Sequence, residues 1–126
     1  MMSDSYVLQQ APFVVPTTDG KLIEEHVGRA VSNEPKVSVA HMVAPPGWSE
    51  PHQNPEFDEY TMMVRGRKQI EIDGETVTLN VGESLLVRKG TRVRYSNPFD
   101  VEAEYWSVCM PAFSPDLVNR EEDSGS

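Results

Sequence analysis

Turn signals recur along this chain at intervals too short for helices. Asp19-Gly20, Asp73-Gly74, Gly82-Glu83, Lys89-Gly90-Thr91 and Asn97-Pro98 each break the chain, and the runs between them alternate or are β-branched. Val37, Val39, His41 and Val43 alternate with Ser38, Ala40 and Met42, the pattern of a half-buried strand. Residues 59–65, 68–72, 76–81, 84–88, 92–96 and 102–110 read as further strands, with Ile70 and Ile72 on one face and Val77, Leu79 and Val81 inward. Asp73-Gly74 is the strongest hairpin signal, because both residues tolerate the positive φ that a tight hairpin turn needs. Short strands at roughly 8–12-residue spacing with turns between them point to an all-β sandwich or barrel. Phe13 to Val15, fenced by Pro12 and Pro16, suits an edge strand. Residues 21–31 fit a short helix or a strand pair around Gly28, and the strand-rich context favours strands.

A chain of 126 residues makes one domain large enough for its own core. We expect a polar, flexible segment over residues 1–10, the β domain over 11–113, and a C-terminal turn and disordered tail over 114–126. The net charge of −9 repels phosphate backbones and anionic lipid, so nucleic acid and membrane surfaces are poor partners. Cys109 is the one cysteine, so no intramolecular disulfide forms. No basic stretch followed by an apolar core opens the chain, and no run approaches the ~20 apolar residues of a membrane helix, so the cytoplasm is the expected location.

Two segments carry a more specific pattern. Gly47 is followed by four residues, His52, Gln53, Asn54, four residues, Glu59, six residues and Gly66. Gly82 is followed by five residues, Arg88-Lys89-Gly90, two residues, Val93, three residues and Asn97. Together, in this order with a hairpin between, they resemble the two signature motifs of the cupin superfamily. The resemblance implies an all-β, double-sheet jelly-roll β-barrel and, in complete members, a divalent metal held by three histidines and the glutamate. Here His52 and Glu59 keep their positions, Asn54 stands for the second histidine and Val93 for the third. Valine has no donor, and an amide oxygen is a weak ligand for iron, manganese, nickel or zinc. His52, Glu59 and Asn54 are therefore the candidate metal ligands, and a metal-free pocket is the preferred reading.

The remaining candidates follow from the same frame. His52 and Glu59 are candidate acid–base groups, and a structural ion pair is the bland alternative for both. Tyr95, in phase with Val93, is a candidate pocket phenol that equally serves as a core residue with its hydroxyl at the surface. His41, Asn54, Arg94 and Trp48 are candidate ligand contacts, although alternation does not decide which face His41 takes. Lys89, Arg92 and Arg94 form either a rim that orients an acidic substrate or the partners of Glu56, Asp58 and Glu59. Three functions stay open. The first is a small-molecule-binding cupin working without metal, with isomerase or lyase chemistry at His52 and Glu59. The second is a metal-dependent dioxygenase, decarboxylase or lyase, and the third is a non-catalytic ligand sensor. Homodimers are common in the resembled superfamily, so a homodimer is expected.

Overall fold

The computed structural model describes residues 5–121. Nine strands form two antiparallel sheets. In chain order they are β1 (Phe13–Val14), β2 (Leu22–Val27), β3 (Ser38–Ala44), β4 (Asp58–Arg65), β5 (Lys68–Ile72), β6 (Glu75–Leu79), β7 (Ser84–Val87), β8 (Val93–Ser96) and β9 (Ala103–Met110). The larger sheet runs β1-β2-β3-β9-β4-β7 and the smaller β6-β5-β8. The strands thus make the expected double-sheet jelly-roll, with two separate hydrogen-bonded sheets rather than one closed barrel.

The alternation read from the sequence becomes the two faces of each sheet. Ala44, Met63, Ala103 and Tyr105 from the larger sheet meet Ile70, Leu79, Val93 and Tyr95 from the smaller one in a buried core completed by Trp48 and Val87. The β5–β6 hairpin turns at Asp73-Gly74, with φ of 48° and 86°. Phe13 and Val14 form the edge strand, pairing with Glu25 and Glu24. Residues 21–31 divide differently from the expected strand pair. They give one strand, β2, and a single helical turn, α1 (Arg29–Ser32). The Glu25 carboxylate accepts the amides of Ala30 and Val31 at 3.0 and 2.9 Å and so nucleates that turn.

Two motif residues fix the loops around the core. Asn97 is fully buried and offers its amide to the carbonyls of Ala44, Pro45 and Val101 at 3.2, 3.2 and 2.9 Å. Its backbone also pairs with Gly47 and Trp48, which ties the start of the first motif to the end of the second. Gly66 turns β4 into β5 at φ +76° with the Glu102 carbonyl packed where a Cβ would sit. The chain ends in α2 (Pro115–Val118), capped by Ser114, whose Val118 packs on Phe57 and Cys109. Of the expected C-terminal tail, Glu121 is tied down by Arg92 at 2.7 and 2.9 Å and by the His52 carbonyl, and residues 122–126 lie outside the described part, as do residues 1–4.

Candidate functional site

A cavity of about 330 Å³ opens between the two sheets. Its inner wall comes from the inward positions of β3 and β9, namely Ser38, Ala40, Met42, Ser107 and Cys109, with Glu59 of β4, Lys68 of β5 and Tyr95 of β8. Residues 15–19 and Phe113 line it from the ends of the chain. Lys21, Glu25, Glu50, Gln53 and Arg120 complete the polar lining.

Glu25 is engaged by the amides of Ala30 and Val31 and Asp19 by the Trp48 indole, which leaves two acids, Glu50 and Glu59, among three cations. Glu59 accepts a hydrogen bond from the Ser107 hydroxyl at 2.6 Å. Glu50 accepts from the Gln53 amide at 2.6 Å and faces Arg120 at 3.6 Å. Gln53 is itself pinned, because its backbone pairs with Val93 in both directions at 2.9 Å. Lys68 is 1% exposed, and its Nζ lies 3.6 Å from the centre of the Tyr105 ring and 4.3 Å from that of Tyr95. The Nζ of Lys21 lies 4.4 Å from the Trp48 ring and 5.6 Å from the Tyr105 ring. Both amines therefore lie over the Tyr105 ring, and cation–π attraction offsets part of the desolvation of their charged forms. Among the described residues neither is in an ion pair. The hydroxyls of Tyr95 and Tyr105 are buried without a hydrogen-bond partner. Such orphaned groups cost about 1–3 kcal/mol each unless something satisfies them, so they mark a place for a bound molecule or water.

The environment shifts protonation in opposite directions. Burial raises the Glu50 carboxyl above its ordinary range, against the pull of Lys21, Lys68 and Arg120. Burial and the neighbouring Lys21 charge lower Lys68, against Tyr105, Glu59 and Glu50. Burial also opposes the charge on Lys21, but Tyr105, Glu50 and Glu59 outweigh it and raise that lysine. Burial, Glu59 and Glu50 push the Tyr95 phenol well above its ordinary value. A carboxyl and an amine both biased toward their neutral forms are the components of proton transfer.

The residues singled out from sequence separate in space. Glu59 and Tyr95 line the cavity. His52 does not: its Nε2 binds the Glu71 carboxylate, and Glu71 alternates with the inward Lys68 and Ile70 and so lies on the outer face of the smaller sheet. That contact holds the Glu71 carboxyl below its ordinary range. Asn54 is exposed at the surface, and Val93 is 0% exposed in the core. Arg94, out of phase with Val93 and Tyr95, donates to the Glu50 carbonyl from outside at 3.0 Å. Trp48 is a buried wall behind Lys21, its indole donating to Asp19 at 2.7 Å. His41 takes the outer face of the larger sheet, bonded to Glu24 and Glu104 at 2.8 Å each and packed at a tilt of 52° against the Trp106 ring. The charges expected to pair across the two motifs do not pair as a group: Arg92 binds Glu121, and Asp58 takes only the Lys89 backbone amide.

The donor set at the motif positions does not fit a divalent metal. Glu59 points inward without His52, Asn54 or a third histidine, and no group of three His, Cys, Asp or Glu among the described residues is placed to hold one. The basic groups lining this cavity are those of Lys21, Lys68 and Arg120. Sequence reasoning passed over Lys21, Glu50, Lys68 and Arg120, and weighed Gln53 only as a supplementary metal donor. For Lys68 a signal existed, since it shares the parity of Ile70 and Ile72 and so belongs to the inward face.

The His41 cluster makes a pH prediction. Burial disfavours the imidazolium, but the Glu104 and Glu24 carboxylates outweigh it and raise His41 above 6.5. Its contribution to stability is complete below the unfolded value of 6.5 and is lost as pH rises through the higher folded value. Thermal melts of the native chain should therefore fall as pH rises through that range. His41→Gln should flatten the fall, and an unchanged slope would remove His41 as its cause.

Two facing antiparallel sheets around a polar cavity define a jelly-roll protein. The cupin-domain family matches residues 40–109, which is more than half of the chain, and the chain belongs to that family. It is similar to the protein named endoribonuclease YbeY of Myxococcus xanthus, with 47% identity over 108 residues. That similarity takes in 86% of this chain and spans 37% of the relative's length. Among solved structures, an RmlC-like cupin from Shewanella frigidimarina superposes with a TM-score of 0.71 at 12% identity, covering 91% of this chain and 97% of that one. The DMSP lyase DddQ of Ruegeria pomeroyi gives 0.55 at 13% identity, covering 61% and 39%. At such identities these two likenesses concern the fold. No helix among the described residues is long and apolar enough to cross a membrane.

Proposed function

We propose that this protein is a metal-independent cupin that binds a small carboxylate-bearing molecule in the cavity between its sheets and moves protons on it. The observation that carries the reading is the lining itself: two lysines, an arginine, two glutamates and a tyrosine converge where the motif's metal ligands do not. Of the four lining acids, Asp19 is taken by the Trp48 indole and the Lys21 amide and Glu25 by the amides of Ala30 and Val31, so Lys21, Lys68 and Arg120 face two acids, Glu50 and Glu59. With Glu50 biased toward its neutral form, the site favours one anionic group. Glu59, held by Ser107, and the unpartnered Tyr95 hydroxyl are the groups placed for proton transfer. The sequence reading assigned that role to His52 as well, and His52 drops out because it is engaged with Glu71 outside the cavity.

Titration calorimetry with acetate, lactate and pyruvate tests this. Saturable binding of one molecule per chain is expected, weakened by Lys21→Met and unchanged by His52→Ala. No binding of any of the three, or loss of binding on His52→Ala, would overturn the reading.

The YbeY name belongs to a protein of which this chain matches 37%, and ribonuclease activity is not carried over to a chain with a net charge of −9. A cytoplasmic homodimer completes the proposal. Its support is the outer face of the larger sheet, where Tyr60, Met62 and Met110 are 38%, 38% and 48% exposed. Light scattering after size exclusion should give twice the chain mass, and a monomer would remove this part.

A further inference from the structure

We propose that Lys68 is a nucleophilic amine that condenses reversibly with the carbonyl group of a small oxo acid held in the cavity, forming an imine. This rests on the reading of the cavity as a carboxylate site and adds the chemistry to it.

The geometry singles out Lys68 among the four lysines of the chain. Lys36 and Lys89 are exposed. Lys21 sits on the same cavity but in the field of Glu50 and Glu59, which favours its charge. Lys68 enters from the first position of β5, is 1% exposed, and presents Nζ to the cavity between two aromatic rings. Among the described residues no ion pair holds it as an ammonium. A second ammonium, that of Lys21, faces the same Tyr105 ring. Desolvation beside another cation is the arrangement that keeps a lysine neutral enough to act as a nucleophile.

The surroundings supply what condensation needs. The lone pair of neutral Lys68 attacks the carbonyl carbon. A C–N bond forms as the C–O π bond breaks, and the oxygen takes a proton to give a carbinolamine. The unpartnered Tyr95 hydroxyl and the Glu50 carboxyl are the acids on hand for that proton. The nitrogen then loses a proton to Glu59, the C–O bond breaks, and the oxygen leaves as water after a second protonation. The products are the protonated imine and one water, with one net proton drawn from those acids and no change of oxidation state. Lys21 and Arg120 remain to hold the carboxylate. The class of substrate follows: an oxo acid small enough for about 330 Å³.

Borohydride trapping with pyruvate, followed by peptide mapping, is the test. The expected result is one reduced adduct per chain on the peptide bearing Lys68, formed at least tenfold faster near neutral pH than on Lys36 or Lys89. That advantage should shrink as pH passes the ordinary lysine value of 10.5. Lys68→Arg, checked for folding by near-ultraviolet circular dichroism, should lose the adduct. Labelling spread equally over the lysines, or placed on Lys21, would overturn the proposal. Lactate, which has no carbonyl, separates the two levels of inference. Lactate and pyruvate binding without an adduct overturns the imine and leaves the carboxylate site standing, and failure of both to bind overturns both.

Discussion

Lys68→Met should weaken ligand binding and at the same time make the protein more stable. Lysine and methionine stems are alike in volume, so the walls made by Tyr95 and Tyr105 keep their packing. What disappears is a desolvated charge. Because burial and Lys21 lower the folded value of Lys68 below 10.5, the unfolded chain binds that proton more tightly than the folded one. The sign follows directly. Stability is forfeited as pH falls below 10.5 and through the lower folded value, and it stays forfeited at neutral pH. Removing the amine returns it, on the order of 1 kcal/mol, or about 4 °C in Tm for a domain of this size. Lys21 and Arg120 remain beside Glu50 and Glu59, so the acids are not left alone. Binding moves the other way. The amine is lost as a hydrogen-bond partner of the oxo acid, a contact that contributes about 0.5–1.5 kcal/mol, which is roughly 2- to 10-fold in affinity, and the imine is lost with it. Higher Tm with weaker binding is the mark of a group kept for function at the expense of stability. A lower Tm with unchanged affinity would make Lys68 a structural residue.

Gly66→Ala should be the most damaging single substitution in the signature motifs. Gly66 holds φ at +76°, where an alanine costs about 1–2 kcal/mol. A Cβ there would stand 2.1 Å from the Glu102 carbonyl oxygen and 3.1 Å from its carbon, both backbone atoms that cannot swing aside. Relieving that overlap means displacing β9 from the β4–β5 turn, roughly a further 1–3 kcal/mol. The sum, about 2–5 kcal/mol, is a large share of the ~5–15 kcal/mol that holds a typical domain together. Chemical denaturation should show the loss directly, or the variant should fail to fold. Gly82→Ala provides the control: its φ is +84°, but nothing lies within 4 Å of the added Cβ, so only the backbone strain remains. Equal losses at the two sites would mean that the contact with Glu102 does not matter.

The fold was legible because its determinants are local. Asp73-Gly74 states a hairpin on its own, and the alternation through 37–43 and 102–110 states which side chains share a face. The paired motifs added the order of strands. Residues 21–31 were misdivided because Glu25, a strand residue, caps the helical turn after Gly28 through its side chain, and that contact leaves no periodic trace.

The candidate site was legible only in part. Glu59 and Tyr95 were found through strand parity, which the two sheets preserve. His52 was placed by its motif position, but it lies in a loop, where no parity governs the direction of a side chain, and Glu71 draws it outward. Asn54, in the same loop, ends at the surface. Lys68 carried a readable signal that its charge obscured. Glu50 and Gln53 carried none, since their positions depend on backbone pairing between the loop and Val93 across about 40 residues. His41 was undecidable by alternation alone, and its partners Glu24 and Glu104 come from strands 17 and 63 residues away.

The central claim is that ammonium groups, and not a metal ion, hold the ligand in this cavity. Titration of pyruvate into tag-free protein, before and after exhaustive chelation and again after addition of zinc or manganese, tests it most directly. We predict one binding curve in all three states, metal content well below one ion per chain, and a weakened curve in Lys21→Met. One ion per chain, with binding abolished by the chelator and restored by the metal, would contradict the account.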